Sequence, residues 1–399
     1  MKPPIDPTKT RAWNRLKAVP FGSLAVPRAD HTTIHLGEES QAAGQSDGIV
    51  QLNRSLKRRK PVGWEVRIPL DTADSVFGSG ESFASVDLRG RRRVLINRET
   101  NLQTIADAAY LNVPFFWSTA GWGLLLGTGA PVLADVGAKD PAVARFVALG
   151  RELDVTVLGG DPPTLLRSYS ELTGRVTGWP DWAFGTWMSR ASYMSLDEIH
   201  EVLDELQAAG CPVDVVHVDA WLAGNVFREF TCSWHADRDR FPAGWTDELR
   251  ARGVRTSLWL NPFVLADSPL ERDLRREGLL LLRPNGSPAA TNDRADRHIV
   301  DFTNPAAVAW WGQQVRKLLA EERPEALKLD FAEEIPLDAI CQDGRTGLEV
   351  RNAYALLYHR ATADAIPPDH PTVPFFCRSG TAGSQTTPCH WVGDTPSCW

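Results

Sequence analysis

The chain has no apolar run long enough to span a bilayer, and its opening, Met1 to Pro7, lacks the apolar stretch of a secretory leader. A cytoplasmic protein is expected on that ground. The six cysteines, at 211, 232, 341, 377, 389 and 398, form neither a Cys-x-x-Cys pair nor a Cys/His metal spacing. Free thiols are therefore expected, with Cys211 and Cys377 as ordinary buried ones. No P-loop, His-Glu-x-x-His motif or nucleophile elbow is present. The run Phe-Gly-Ser-Gly-Glu-Ser (77–82) opens no helix, which removes it as a dinucleotide fingerprint. His235, His298 and His390 are scattered without ligand spacing. No metal and no cofactor are expected. Positive charge is also short: 43 Lys and Arg against 50 Asp and Glu leave −7, which argues against a nucleic-acid surface. The basic runs Arg58-Arg59-Lys60 and Arg91-Arg92-Arg93 lie among turn residues and read as solvated hairpins.

What the chain does have is length and tryptophan. Its 399 residues, 43% hydrophobic, suffice for two or three domains. The 15 tryptophans suit both core packing and the apolar faces of sugars. Residues 1–160 show short β-type runs at 63–70, 92–97, 121–127 and 152–158, separated by turns, the pattern of an antiparallel β-sandwich. Residues 161–181 read as a connector with a short helix at 163–172.

From 182 to 399 strand-like runs alternate with amphipathic helices. Strands are expected at 184–190, 213–220, 255–262, 326–331, 373–379 and 390–394. Helices are expected at 195–209, 246–252, 269–277, 305–322 and 347–365. Ser195 with Glu198 three residues on is a capping box for the first of these. The order implies parallel strands with right-handed crossovers. Polar residues close the strands: Asp219, Asn261, Asp330, Arg378 and Asp394. Polar groups gathered at carboxyl ends are the layout of a (β/α)₈ barrel active site, here with about six of eight strands. The long loop 221–245, rich in Trp, Phe and His, reads as a binding loop.

Two of the strand-end carboxylates suit glycosidic-bond cleavage, which uses a pair of them. Asp330 follows an apolar run, and alternation points Lys328 the same way, so the cation would keep Asp330 ionised. A buried ion pair is the plainer reading of the same residues. Asp394 follows Gly393, and desolvation beside Trp391 would raise its pKa as a general acid requires; a loop or capping role is the alternative. Asp219 at the end of an apolar strand needs a partner, which sugar hydroxyls or an ion pair would supply. Arg378 suits a sugar hydroxyl or a carboxylate. Trp259 serves equally as sugar platform or core.

These runs resemble glycoside hydrolase family 31, especially its α-xylosidase-like branch. The matching segments are 77–83, 113–123, Val-Asp-Val-Val-His-Val-Asp (213–219), Leu-Trp-Leu-Asn-Pro (258–262), 301–305, Leu-Lys-Leu-Asp-Phe-Ala-Glu-Glu-Ile-Pro (327–336), 377–385 and His-Trp-Val-Gly-Asp (390–394). The resemblance implies a retaining exo-α-glycosidase that needs no metal and acts on an oligosaccharide or other α-glycoside. Asp330 matches the nucleophile and Asp394 the acid/base. Asp219, Trp221, Trp259, Lys328, Phe331, Arg378 and Trp391 match or fill positions around the terminal sugar, with Ala220-Trp221 where some α-xylosidases carry a Cys-Phe pair. The sandwich would add a pocket loop, with 81–90 as candidate. Terminal α-linked xylose or glucose is the expected substrate, and transglycosylation uses the same residues. Ala332 stands where the family usually has Gly, a modest change unless φ must be positive. Family members continue past the acid/base with two more strands, so a truncated product or partial sequence is expected. In that case an inactive sugar-binding remnant, aggregation, or pairing with a further copy of the chain stays open.

Overall fold

Two antiparallel sheets face each other in the N-terminal region of the computed structural model. The structure describes residues 63–394 except 83, 100–108, 152, 177–178, 191, 225–230, 368–374 and 388, together with the short strands Leu16–Lys17, Leu24–Pro27 and Thr33–Gly37. One sheet orders Leu16–Lys17, Asp154–Gly159, Trp122–Gly127, Asn112–Ser118 and Val76–Gly80. The other orders Leu24–Pro27, Thr33–Gly37, Gly63–Pro69, Val143–Leu149, Val132–Val136 and Arg91–Leu95. Period-two alternation explains the packing. In Val143–Leu149 the residues Ala144, Phe146 and Ala148 are buried, while Arg145 points away and pairs with Glu65. Val66, Phe116, Leu124 and Phe146 are fully buried between the sheets, each worth about 1.5–3 kcal/mol of transfer free energy.

The expected sandwich is present, with one correction. The run 91–93 is not a solvated hairpin throughout: Arg93 is buried, donating to Ser79 Oγ (2.6 Å) and to the Glu81 carbonyl (2.8 Å). The run 58–60 lies outside the described residues. The connector helix α1 (Pro162–Thr173) starts at Asp161, whose carboxylate accepts from the Thr164 N–H.

Beyond it six parallel strands line up in chain order: β1 (Trp187–Arg190), β2 (Val215–Val218), β3 (Arg255–Leu260), β4 (Ala326–Leu329), β5 (Phe375–Cys377) and β6 (Cys389–His390). The helices are α2 (Leu196–Ala208), α3 (Trp245–Ala251), α4 (Pro269–Arg276), α5 (Pro305–Glu321), α6 (Gly347–Val350) and α7 (Tyr354–Ala363). In α2, Leu196, Ile199, Val202 and Leu203 are buried at helical spacing. Ser195 caps it through Glu198 N (3.1 Å), but the Glu198 carboxylate reaches Met194 N rather than Ser195 N. The added pair Phe263–Leu265 with Arg297–Ile299 stands outside the alternating pattern.

The expected helix 347–365 is broken between α6 and α7, and the sandwich is the reason. Asn352 donates its backbone N–H to Gly129 O (2.7 Å), while its side chain joins Asn97 N and Leu95 O. Those bonds replace helical ones. Gly129 permits the approach, because a Cβ there would lie 2.6 Å from the Ala353 methyl. Among the described cysteines all five are free, three of them buried, but Cys211 is exposed, against expectation. It follows the helix end at Gly210, where the chain turns at the surface. Cys398 lies outside the described residues. In the loop 221–245, Trp221, Cys232, Trp234, Phe241 and Trp245 belong to the barrel core, so its aromatic richness largely serves packing.

Candidate active site

The strand ends bring the expected charged residues together. Asp330 follows β4, and its N–H bonds the Leu260 carbonyl of β3 (2.9 Å), which extends the ladder to the carboxylate. Arg378 follows β5 and is tied to Leu329 O in the same way (3.2 Å). Asp219 follows β2, and Asp394 lies four residues past β6.

Arg378 is the hub. It is buried, and four carboxylates surround its guanidinium. Nε lies 3.2 Å from Asp330 Oδ1, and Nη1 donates to Asp394 Oδ2 at 2.9 Å. Nη2 meets Glu333 Oε1 and lies 3.1 Å from Glu99 Oε2. Such a cluster of anions drives the guanidinium pKa further up, past the opposing effect of burial. The cation also lies over the Phe331 ring (4.3 Å) and the Tyr110 ring (4.7 Å).

Asp330 is held from every side. Trp259 Nε1 donates to Oδ2 (2.8 Å), the Phe331 N–H donates to Oδ1 (2.8 Å), and Lys328 Nζ lies 3.7 Å from Oδ2. Burial alone would raise this carboxyl, but Arg378, Lys328 and the Trp259 N–H outweigh it and hold it below the usual range. Trp259 is thus neither a bare platform nor mere filler: it is buried and orients the carboxylate. Phe331 and Ala332 both have left-handed φ, 62° and 82°. The modest change at Ala332 is therefore a strained one, since a methyl occupies a conformation that favours glycine.

Asp219 accepts from Lys328 Nζ (2.9 Å) and from His217 Nε2 (2.8 Å), whose Nδ1 contacts Ser257 Oγ (2.9 Å). Burial opposes ionisation of Asp219, but His217 and Lys328 bring its pKa down to about 2. Lys328 also lies 4.9 Å from the Trp391 ring, which places Trp391 beside the cluster. Trp221 is elsewhere in role: 1% exposed, it donates Nε1 to the Trp259 carbonyl (2.8 Å) and supports β3 rather than offering a face.

Asp394 contrasts with Asp330. Its side chain is 53% exposed. Burial of the remainder raises its pKa, Arg378 opposes, Asp330 and Glu99 add to the rise, and the net shift is upward. Buried Glu333, bonded to Ser379 Oγ, is pushed up to about 7 by burial in spite of Arg378. Asp330 and Asp394 therefore sit on one guanidinium with pKa values displaced in opposite directions, the kind of environment that separates an acid from a base. Among the described residues no group of three His, Cys, Asp or Glu side chains could hold a metal ion.

Sequence reasoning missed Glu99 and Tyr110 of the sandwich, and His217 and Ser257 behind Asp219. The candidate pocket loop 81–90 bonds back to its own sheet: Asp87 accepts from Val76 N and Arg89 N, and Glu81 N donates to Leu111 O. It is Glu99 and Tyr110 that reach the cluster.

The model of the glycosyl hydrolases family 31 TIM-barrel domain matches residues 177–399, more than half of the chain. The chain belongs to glycoside hydrolase family 31. The family's N-terminal galactose mutarotase-like domain matches residues 26–135. An α-xylosidase of Emericella nidulans is 30% identical over 343 residues, covering 83% of this chain and 43% of the relative. An α-xylosidase of Lactiplantibacillus pentosus is 31% identical over 299 residues, covering 73% and 39%. The cycloalternan-degrading enzyme of Trueperella pyogenes superposes with a TM-score of 0.76 at 26% identity, covering 84% of this chain and 53% of that one. The chain thus spans about half or less of the length of these family 31 relatives.

Proposed function

We propose that the chain carries the catalytic residues of a retaining exo-α-glycosidase that releases terminal α-linked xylose, or glucose, from an oligosaccharide. The observation that carries this reading is the pair Asp330 and Asp394 on Arg378, one kept ionised and the other drawn toward its protonated form. Asp394 protonates the glycosidic oxygen as the C–O bond breaks, and an Asp330 oxygen attacks the anomeric carbon. The leaving alcohol departs and a covalent glycosyl-enzyme forms. Asp394, now ionised, takes a proton from water. That water displaces Asp330 and restores both groups, with net retention. The retaining geometry calls for carboxyl groups roughly 5–5.5 Å apart across the sugar.

Support comes from a relative as well. The cycloalternan-degrading enzyme of Trueperella pyogenes, 26% identical, has been captured in complex with a covalent intermediate. Xylose is favoured as the sugar because α-xylosidases are the relatives at 30% and 31% identity, while an α-glucosidase stands at 26%. Asp219, held near pKa 2, is an acceptor for sugar hydroxyls, and Trp391 beside Lys328 is a face for the ring.

Aryl α-xyloside and α-glucoside substrates test this directly. Proton NMR of the first-formed product should show the α-anomer, with the xyloside turned over faster. First release of the β-anomer would exclude retention, and preference for the glucoside would replace xylose by glucose.

A further inference from the structure

Glu99 and Tyr110 belong to the sandwich, yet they close on the acid end of the site. Tyr110 donates its hydroxyl to Glu99 Oε1, and that same hydroxyl oxygen accepts the Asp394 backbone N–H at 3.3 Å. Glu99 Oε2 lies 3.1 Å from Arg378 Nη2. The Tyr110 ring lies so close to Gly393 that a Cβ there would sit 2.0 Å from Cε2. Gly393 has φ 81°, so the backbone leading into Asp394 is shaped to that ring.

The pair is itself anchored. The Tyr110 carbonyl accepts from Gly380 N (3.4 Å), and Asn97 Nδ2 donates to Gly380 O (2.8 Å). Arg351 Nε donates to Asn97 O (2.9 Å). Glu334 accepts the Glu99 backbone N–H (2.9 Å), accepts from Asn292 Nδ2 (3.0 Å) and pairs with Arg351 (3.3 Å). Sandwich and barrel therefore meet in a polar seam that ends on Asp394.

We infer that Glu99 and Tyr110 are positioning residues through which the sandwich sets the placement and proton affinity of Asp394. This rests on the reading of Asp394 as acid/base. With more than half of its side chain in solvent, Asp394 is held at its carboxylate by Nη1 of Arg378 and at its backbone N–H by the Tyr110 hydroxyl. Among the described residues Arg378 and Lys328 favour its ionised form, and Asp330 and Glu99 disfavour it. Glu99 thus acts twice, as an anion near Asp394 and as a competitor for Arg378.

The test compares Tyr110→Phe and Glu99→Gln with the unaltered chain on aryl α-glycosides of good and poor leaving groups. Tyr110→Phe keeps the ring against Gly393 and removes only the hydroxyl. It should lower kcat/KM about tenfold for poor leaving groups, which need the acid, and less than about twofold for activated ones. Glu99→Gln should move the basic limb of the pH profile to lower pH, because Asp394 loses a neighbouring anion. Equal losses on both substrate types, or an unmoved basic limb, would overturn the inference. Carboxyl ¹³C NMR decides the matter without turnover: Asp394 should titrate at lower pH in Glu99→Gln, and an unchanged titration refutes the positioning role. A chain that turns over no substrate yet shows the NMR shift would count against the proposed activity and not against this inference.

Discussion

Asp330 and Asp394 share the guanidinium of Arg378 but little else. Asp330 is buried, closes a strand, and is met by an indole N–H, a backbone N–H and two cations. Asp394 is half in solvent, lies past the end of β6, and leans on a neighbouring domain. In the first case fixed dipoles and cations overcome desolvation, and in the second desolvation and nearby anions outweigh Arg378 and Lys328. Opposite proton affinities follow from surroundings rather than residue type. The barrel interior builds the ionised member, while the polar seam between domains builds the protonatable one.

Removing either carboxylate should break the contrast most severely. Asp330→Ala should lower kcat/KM by roughly four orders of magnitude or more on every substrate, read by steady-state kinetics. Asp394→Ala should cost about 10²–10⁴-fold on poor leaving groups and far less on activated ones. Equal leaving-group sensitivity in the two variants would erase the division of roles.

Lys328→Met should weaken the contrast on the ionised side. Asp330 loses a cation, its proton affinity rises, and the acidic limb of the pH profile moves to higher pH. A loss in kcat/KM of about 10²-fold is expected, as for removal of one preorganised charge. An acidic limb that stays in place would show that Arg378 and Trp259 suffice.

Stability should respond to pH through the barrel's buried imidazoles. Neither ring nitrogen of His359 has a hydrogen-bond partner among the described residues, and burial with nearby His390 holds its pKa well below the usual value. A depressed folded pKa means the neutral ring's contribution is fully present above the unfolded value, about 6.5, and is lost as pH falls below it. One such group gives at most about 1.4 kcal/mol per pH unit. His217 and His390 are lowered as well, chiefly by burial. Urea unfolding at pH 7.5 and pH 5 should therefore show a smaller loss in His359→Leu than in the unaltered chain, though not none.

The smallest effect is at the turn after Asp330. Ala332→Gly relieves a left-handed φ but removes a buried methyl. The two nearly offset, leaving a gain of about 0.5 kcal/mol, visible as a slight rise in Tm. A clear fall in Tm would mean that the methyl's packing dominates.

The three aspartates of the cluster were legible in the sequence because each rests on a local pattern. Apolar alternation that stops at a single charge marks Asp219 and Asp330, and a Gly-Asp after a short apolar run marks Asp394. The cap at Ser195 was similarly local. What escaped is what depends on contact across the fold. The partner of Arg378 at Glu99 lies in another domain, and no periodicity relates the two. The break before Tyr354 exists because Asn352 bonds the sandwich, not because of a residue that stops helices. The family resemblance implied a sugar contact for Trp221, yet its indole N–H bonds a carbonyl of β3. The exposure of Cys211 was hidden by the apolar residues that follow it.

The central claim, Asp330 as nucleophile with Asp394 as its acid/base, is tested most directly by trapping. A fluorinated α-glycosyl fluoride that forms the glycosyl-enzyme quickly and releases it slowly would be incubated with the chain, and the labelled peptide mapped by mass spectrometry. The account predicts one sugar on Asp330 in the unaltered chain and in Asp394→Ala, because fluoride departs without a strong acid, and none in Asp330→Ala. A label on Asp394 or on Glu333, or no label on an active chain, would contradict it.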